Sequence, residues 1–75
     1  MESIRQAVAD FVKEIVQHPE KVQVKVVNEN LMALQIIVSD SDCKTVLTKI
    51  DVIRSLSWAD QNLQGQNIFI QVVPS

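Results

Sequence analysis

The sequence predicts an α/β chain of the α+β kind, with elements in the order αββααβ and a three-stranded mixed sheet whose helices pack on one face. Three observations predict it. The first segment spaces its apolar residues as an amphipathic helix does. Two β-type segments follow, separated only by Asn28-Glu29-Asn30. A third β-type segment comes after a helical stretch of over twenty residues. That length allows a right-handed crossover and therefore a parallel partner.

Each element has its own justification. From Ser3 to Gln17, the residues Ile4, Ala7, Val8, Phe11, Val12, Ile15 and Val16 form one helical stripe. Pro19 disfavours helical geometry at His18, so the helix is expected to stop there. In KVQVKVV (21–27), Val22, Val24 and Val26 alternate with Lys21, Gln23 and Lys25, as in a strand with one buried face. LMALQIIVS (31–39) is apolar at both parities, which suits a central strand. Asparagine tolerates positive φ, so NEN is expected to form the hairpin turn and make these strands antiparallel. In NIFIQVV (67–73), Ile68, Ile70 and Val72 point one way and Phe69, Gln71 and Val73 the other.

The crossover segment reads as two helices. At about 100° per residue, Cys43, Val46, Leu47 and Ile50 share one side of a wheel, and Val52, Leu56, Ala59 and Leu63 the opposite side. Ile53 lies between the groups. One straight helix cannot bury both against the same sheet, so a break is expected at Thr48 to Asp51. The first helix is expected to start after caps at Ser41 and Asp42. The second is expected to carry Asp51 or a neighbour at its N-terminal end and Gly65 just past its C-terminal end.

Composition sets outer bounds. Seventy-five residues fit one domain, 1–75. A domain of this size buries about 60% of its unfolded surface, and the 47% apolar content supplies a core for it. The single Cys43 permits no internal disulfide, which fits a reducing compartment. MESIRQAVADF has neither the basic start nor the apolar run of a secretory leader. The apolar run LMALQIIV is too short to span a bilayer. A soluble cytoplasmic protein without membrane association is expected. Nine acidic residues outnumber seven basic ones, for a net charge of −2. That balance argues against strong non-specific nucleic-acid binding, because such domains are typically basic.

No catalytic chemistry is expected. The chain has no glycine-rich phosphate loop, no Ser-His-Asp set and no metal-ligand spacing, so no enzyme activity, cofactor or metal is assigned. Asp40, Ser41 and Asp42 lack a third carboxylate for a hard cation and read as helix caps. Cys43 lies on an apolar helix face and reads as a small core residue, not as a nucleophile paired with His18.

A helix–tight joint–helix between two strands, preceded by a helix and a strand, is the layout of type II KH domains. Over nearly its whole length the chain resembles the KhpA-like family of small bacterial single-KH proteins. The likeness runs through VKEIVQHPEKVQVKVV, the apolar central strand with its acidic cap in LQIIVSDSDCKTVL, and the closing strand IFIQVV. It implies a KH-like fold and single-stranded RNA binding at the joint. It also implies self-association as a homodimer through that region, and pairing with a larger KH-containing RNA-binding protein.

The sequence departs from the family at the joint. The family's loop there reads G-x-x-G, whose glycines let the backbone approach a sugar-phosphate chain. Here Thr48 and Asp51 stand at the glycine positions, and Lys49 supplies the basic residue. Asp51 opposes a phosphate by roughly 1.7 kcal/mol before screening, at about 5 Å and an effective dielectric near ~40. The candidate RNA-binding residues are Lys44, Thr48, Lys49, Ile50 and Arg54. Lys44, Lys49 and Arg54 serve as phosphate contacts or as solvated surface charges. The Thr48 hydroxyl serves a phosphate or the turn between helices, and Ile50 and Ile53 line a base groove or the core.

Trp58 falls off the apolar side of its helix, which fits either an interface or packing at the sheet edge. Ala33, Ile37, Phe69 and Val73 on the second sheet face offer another contact surface. Two functions therefore stand side by side. One is weak single-stranded RNA binding. The other is a protein-interaction module that has lost RNA binding with its glycines.

Overall fold

The structure is a computed structural model, and it describes residues 2–56 and 68–75. Its elements are α1 (Glu2–Ile15), β1 (Gln23–Asn28), β2 (Ala33–Val38), α2 (Cys43–Thr48), α3 (Ile50–Ser55) and β3 (Phe69–Pro74). Short 3-10 turns at Pro19–Lys21 and Asp40–Asp42 precede β1 and α2. The three strands form one mixed sheet in the order β1-β2-β3. β1 runs antiparallel to β2, and β3 runs parallel to it. The chain is thus the small α+β domain with a three-stranded mixed sheet that the sequence predicts.

β2 holds the sheet together because it pairs on both sides. Its register sets Ile36 between Val24 and Val72, and Leu34 between Val26 and Ile70. These residues point inward. Leu34, Ile36 and Val38 are fully buried with Ile4, Val8 and Val12 of α1, Val46 of α2 and Ile53 of α3. Burying each such side chain stabilises the fold by about 1.5–3 kcal/mol. The outward row is polar in the middle, where Gln35 Nε2 donates to Gln71 Oε1 at 3.4 Å, and apolar towards its ends. There Phe69 is 63% exposed beside Ala33, and half-buried Ile37 pairs with Val73. The parallel pair is tied at both ends: Phe69 N–H donates to the Met32 carbonyl at 3.0 Å and Ser75 N–H to that of Val38 at 2.8 Å.

The hairpin between β1 and β2 differs from expectation in one respect. The residue with positive φ is Met32, at 53°, and not an asparagine. The Asn28 side chain is used otherwise: its Oδ1 accepts from Leu31 N–H at 3.0 Å. A left-handed non-glycine residue costs about 1–3 kcal/mol. Met32 offsets this by packing against the core and by offering its carbonyl to Phe69. A register shift between Val26 and Asn28 accompanies the turn.

The helix α1 ends at Ile15, two residues short of the predicted Gln17, and the chain turns over Pro19–Lys21 into β1. Arg5, ion-paired with Glu2, also donates to the Val24 carbonyl at 3.5 Å and so ties α1 to β1. Asp42 makes the second tie, and it corrects the capping expectation. Asp42 stands at the N-cap of α2 without a side-chain cap bond, and the Ser41 hydroxyl lies 3.0 Å from that of Ser39. Asp42 is only 2% exposed, and its two carboxylate oxygens accept from the backbone N–H groups of Gln17 and His18, each at 3.1 Å. The carboxylate thus joins the α1–β1 connection to the β2–α2 connection.

Hydrogen bonds to a charged acceptor contribute about 1.5–3 kcal/mol each. Asp42→Ala removes both and leaves two amides short of partners, so it should destabilise the fold by about 2–5 kcal/mol in urea unfolding. Asp42→Asn, which keeps an acceptor for only one amide, should cost roughly half as much. A loss below ~0.5 kcal/mol for the alanine variant would show that water replaces the carboxylate freely.

Candidate nucleic-acid interface

The two short helices are joined at Lys49 alone, where the sequence suggested a joint of four residues. Lys49 sits at φ −103°, ψ 15°. Its N–H closes α2 on the Val46 carbonyl at 3.0 Å, and its own carbonyl receives Ile53 N–H at 3.0 Å. Thr48 explains the turn. Its Oγ1 donates to the Lys44 carbonyl at 2.8 Å, a back-bond that bends helices. Helices of six residues are not stable alone in water. Each is held by one fully buried anchor, Val46 in α2 and Ile53 in α3.

Those anchors also correct the helical wheel. Val46 marks the buried direction of α2, and Leu47 lies about 100° round from it, so Leu47 is 56% exposed. In α3 and at its C-cap the inward residues are Ile50, Ile53 and Leu56, and Val52 is 44% exposed. Val52 therefore does not share a buried side with Leu56. The break between the helices falls at Lys49; Ala59 and Leu63 of the expected second stripe, and Gly65 at its end, lie outside the described residues.

The five predicted RNA-binding residues divide accordingly. Lys44 and Lys49 are exposed and, among the described residues, make no ion pair. The Thr48 hydroxyl is engaged within its own helix. Ile50 is half-buried and packs against the core. Arg54 Nη1 lies 3.8 Å from Asp51 Oδ1. Leu47 and Val52 were missed as surface residues because the wheel places both on buried stripes. Only the positions of Val46 and Ile53 show otherwise. Trp58 lies outside the described residues.

The Cys43 Sγ faces the Ser39 carbonyl at 3.7 Å. Burial pushes its thiol above the ordinary range, and the nearby Asp40 and Asp42 charges add to the effect. Among the described residues, no group of three His, Cys, Asp or Glu side chains is placed to hold a metal, and no helix is long and apolar enough to cross a membrane. This is a small α+β domain with exposed cations and exposed aliphatic side chains at a tight helix joint. No protein-family model, curated protein or solved structure matches the chain.

The raised thiol pKa has a sign. The folded state keeps the Cys43 proton at pH values where the unfolded chain, with its thiol near ~8.5, has lost it. Stability should be unaffected by this group below that pH and should fall as pH rises through the folded value. The urea midpoint should therefore drop above about pH 8.5 in the wild type, and less in Cys43→Ala. Alkylation of Cys43 by iodoacetamide at pH 8 should also be slower folded than in urea. Equal rates in both would show that the thiol is not shielded.

Proposed function

We propose that this chain is a KH-like domain of type II topology, related to the KhpA-like proteins of the bacterial cytoplasm, and that it binds single-stranded RNA weakly at the helix joint. Its role is binding, not catalysis. One observation carries the reading: Lys49, the single residue between two short helices, is exposed. Lys44 and Arg54 lie five residues before and after it in sequence and are exposed, as are Leu47 and Val52. Cations beside aliphatic surface suit a sugar-phosphate chain whose bases rest on apolar side chains. The net charge of −2 and the Thr48/Asp51 substitutions keep the affinity low.

The same exposed Leu47 and Val52 favour a second reading. They suit a protein contact made by a domain that no longer clamps RNA, with a second copy or a larger KH-containing RNA-binding protein as partner.

Fluorescence anisotropy of a labelled, mixed-sequence single-stranded RNA separates the two. Two or three phosphate contacts, at a slope of about −0.7 each, predict roughly tenfold weaker binding between ~50 and ~200 mM salt. Lys49→Ala should lower the slope by about 0.7. Absence of wild-type binding at low salt rejects the RNA reading. If Thr48→Gly with Asp51→Gly then creates binding, the groove is intact but disabled, and the protein-contact reading stands.

A further inference from the structure

We infer that the free edge of β3 pairs antiparallel with the same edge of a second copy of this chain, about a two-fold axis at Gln71, so that two three-stranded sheets become one. This contact lies on the sheet, uses no residue of the helix joint, and is independent of the RNA-binding reading. Among the described residues, β3 is one side of the sheet and β1 the other. The two edges differ in charge. Exposed Lys25 lies on β1 and exposed Lys21 just before it, and charged side chains, lysine above all, keep an edge from pairing. β3 reads FIQVVP and has no charged residue. A second copy of the strand therefore meets no like charge there.

The backbone decides which residues would pair. The Phe69 and Ser75 N–H groups both reach β2, at the Met32 and Val38 carbonyls. Alternate residues of a strand address the same neighbour, so Ile70 and Val72 turn their N–H and C=O groups to the free edge. Pro74 falls at the next such position, where its missing N–H costs the sheet no bond. Ile70 and Val72 pack on the core yet are only half-buried.

One register suits both the backbone and the side chains. With the two Gln71 residues opposite each other, Ile70 of each copy exchanges both backbone bonds with Val72 of the other. On the open face, Phe69, 63% exposed, then meets the other copy's Val73. That is the closely spaced kind of pair, and an aromatic beside a β-branched side chain is favoured in it. At the axis, Gln71 Oε1 accepts from Gln35 Nε2, which leaves the Gln71 Nε2 to donate to the opposite Gln71. Moving the axis to Ile70 or Val72 would instead set Phe69 or Val73 against glutamine.

Sedimentation equilibrium of the full chain, over a series of concentrations, should show a mass rising from one chain's 8.4 kDa towards twice that. Gln71 is exposed, so Gln71→Lys and Gln71→Glu each put like charges across the axis without touching the core. At about 5 Å and an effective dielectric of ~40, each should weaken the dimer roughly tenfold at low salt. An equimolar mixture of the two should associate at least as tightly as the wild type, which a folding defect in either could not produce. Leu47→Ser with Val52→Ser should leave the dimer unchanged. A wild type that keeps the mass of one chain at millimolar concentration overturns the inference. So does a dimer indifferent to both Gln71 charges, or charge variants that mixing does not rescue. Loss of the dimer only in the Leu47→Ser, Val52→Ser variant would place self-association at the helix joint instead.

Discussion

The carboxylate of Asp42 fixes how the helices lie relative to one another. It is buried, it carries no cation against it among the described residues, and it is satisfied by backbone alone, at the N–H groups of Gln17 and His18. A buried charge is tolerated only when its lone pairs are met. Here that requirement brings the end of α1 to the start of α2 across a gap of about two dozen residues in sequence. A domain of 75 residues has a total stability of roughly 4–11 kcal/mol at ~0.05–0.15 kcal/mol per residue. Two bonds to one carboxylate are therefore a substantial share of the whole. They also give direction, which the apolar contacts of Ile4, Val8 and Val12 do not.

With α1 and the entry to α2 set, the joint follows. Val46 and Ile53 are both fully buried, and the chain between them must leave and regain the core within six intervening residues. The turn at Lys49 does this, and the Lys49 side chain is exposed. Leu47 and Val52 are carried outward with it. Each six-residue helix has only one fully buried side chain, and Leu47 and Val52 lie on the side turned away from it. A longer helix would have offered a wider inward stripe.

Much of the fold was legible because periodicity reports burial directly. The alternation of Val22, Val24 and Val26 located β1. The two-sided apolar character of Leu34 to Val38 marked β2 as the central strand, and the long crossover implied its parallel pairing with β3. What stayed hidden depended on contacts distant in sequence. Nothing local distinguishes an Asp42 that caps its own helix from one that binds amides at residues 17 and 18. Met32 takes the left-handed place because Asn28 caps the turn from before it, a choice settled by hydrogen bonding and not by propensity. At the joint the wheel found the break but misplaced Leu47 and Val52. It assigns faces by angle and has no knowledge of which anchor the core will take.

The parallel pairing of β2 with β3 has a consequence for how the chain is made. Gln35 and Gln71, side by side in the sheet, are 36 residues apart. At about 5–20 residues per second on a ribosome, β3 follows β2 by roughly 2–7 s. Through that interval β2 has its antiparallel partner on one side only. Its other edge, along Ala33–Val38, offers unpaired backbone groups to any neighbouring strand. The newborn chain therefore passes through a window in which that edge is open, and the arrival of Ile70 and Val72 closes it.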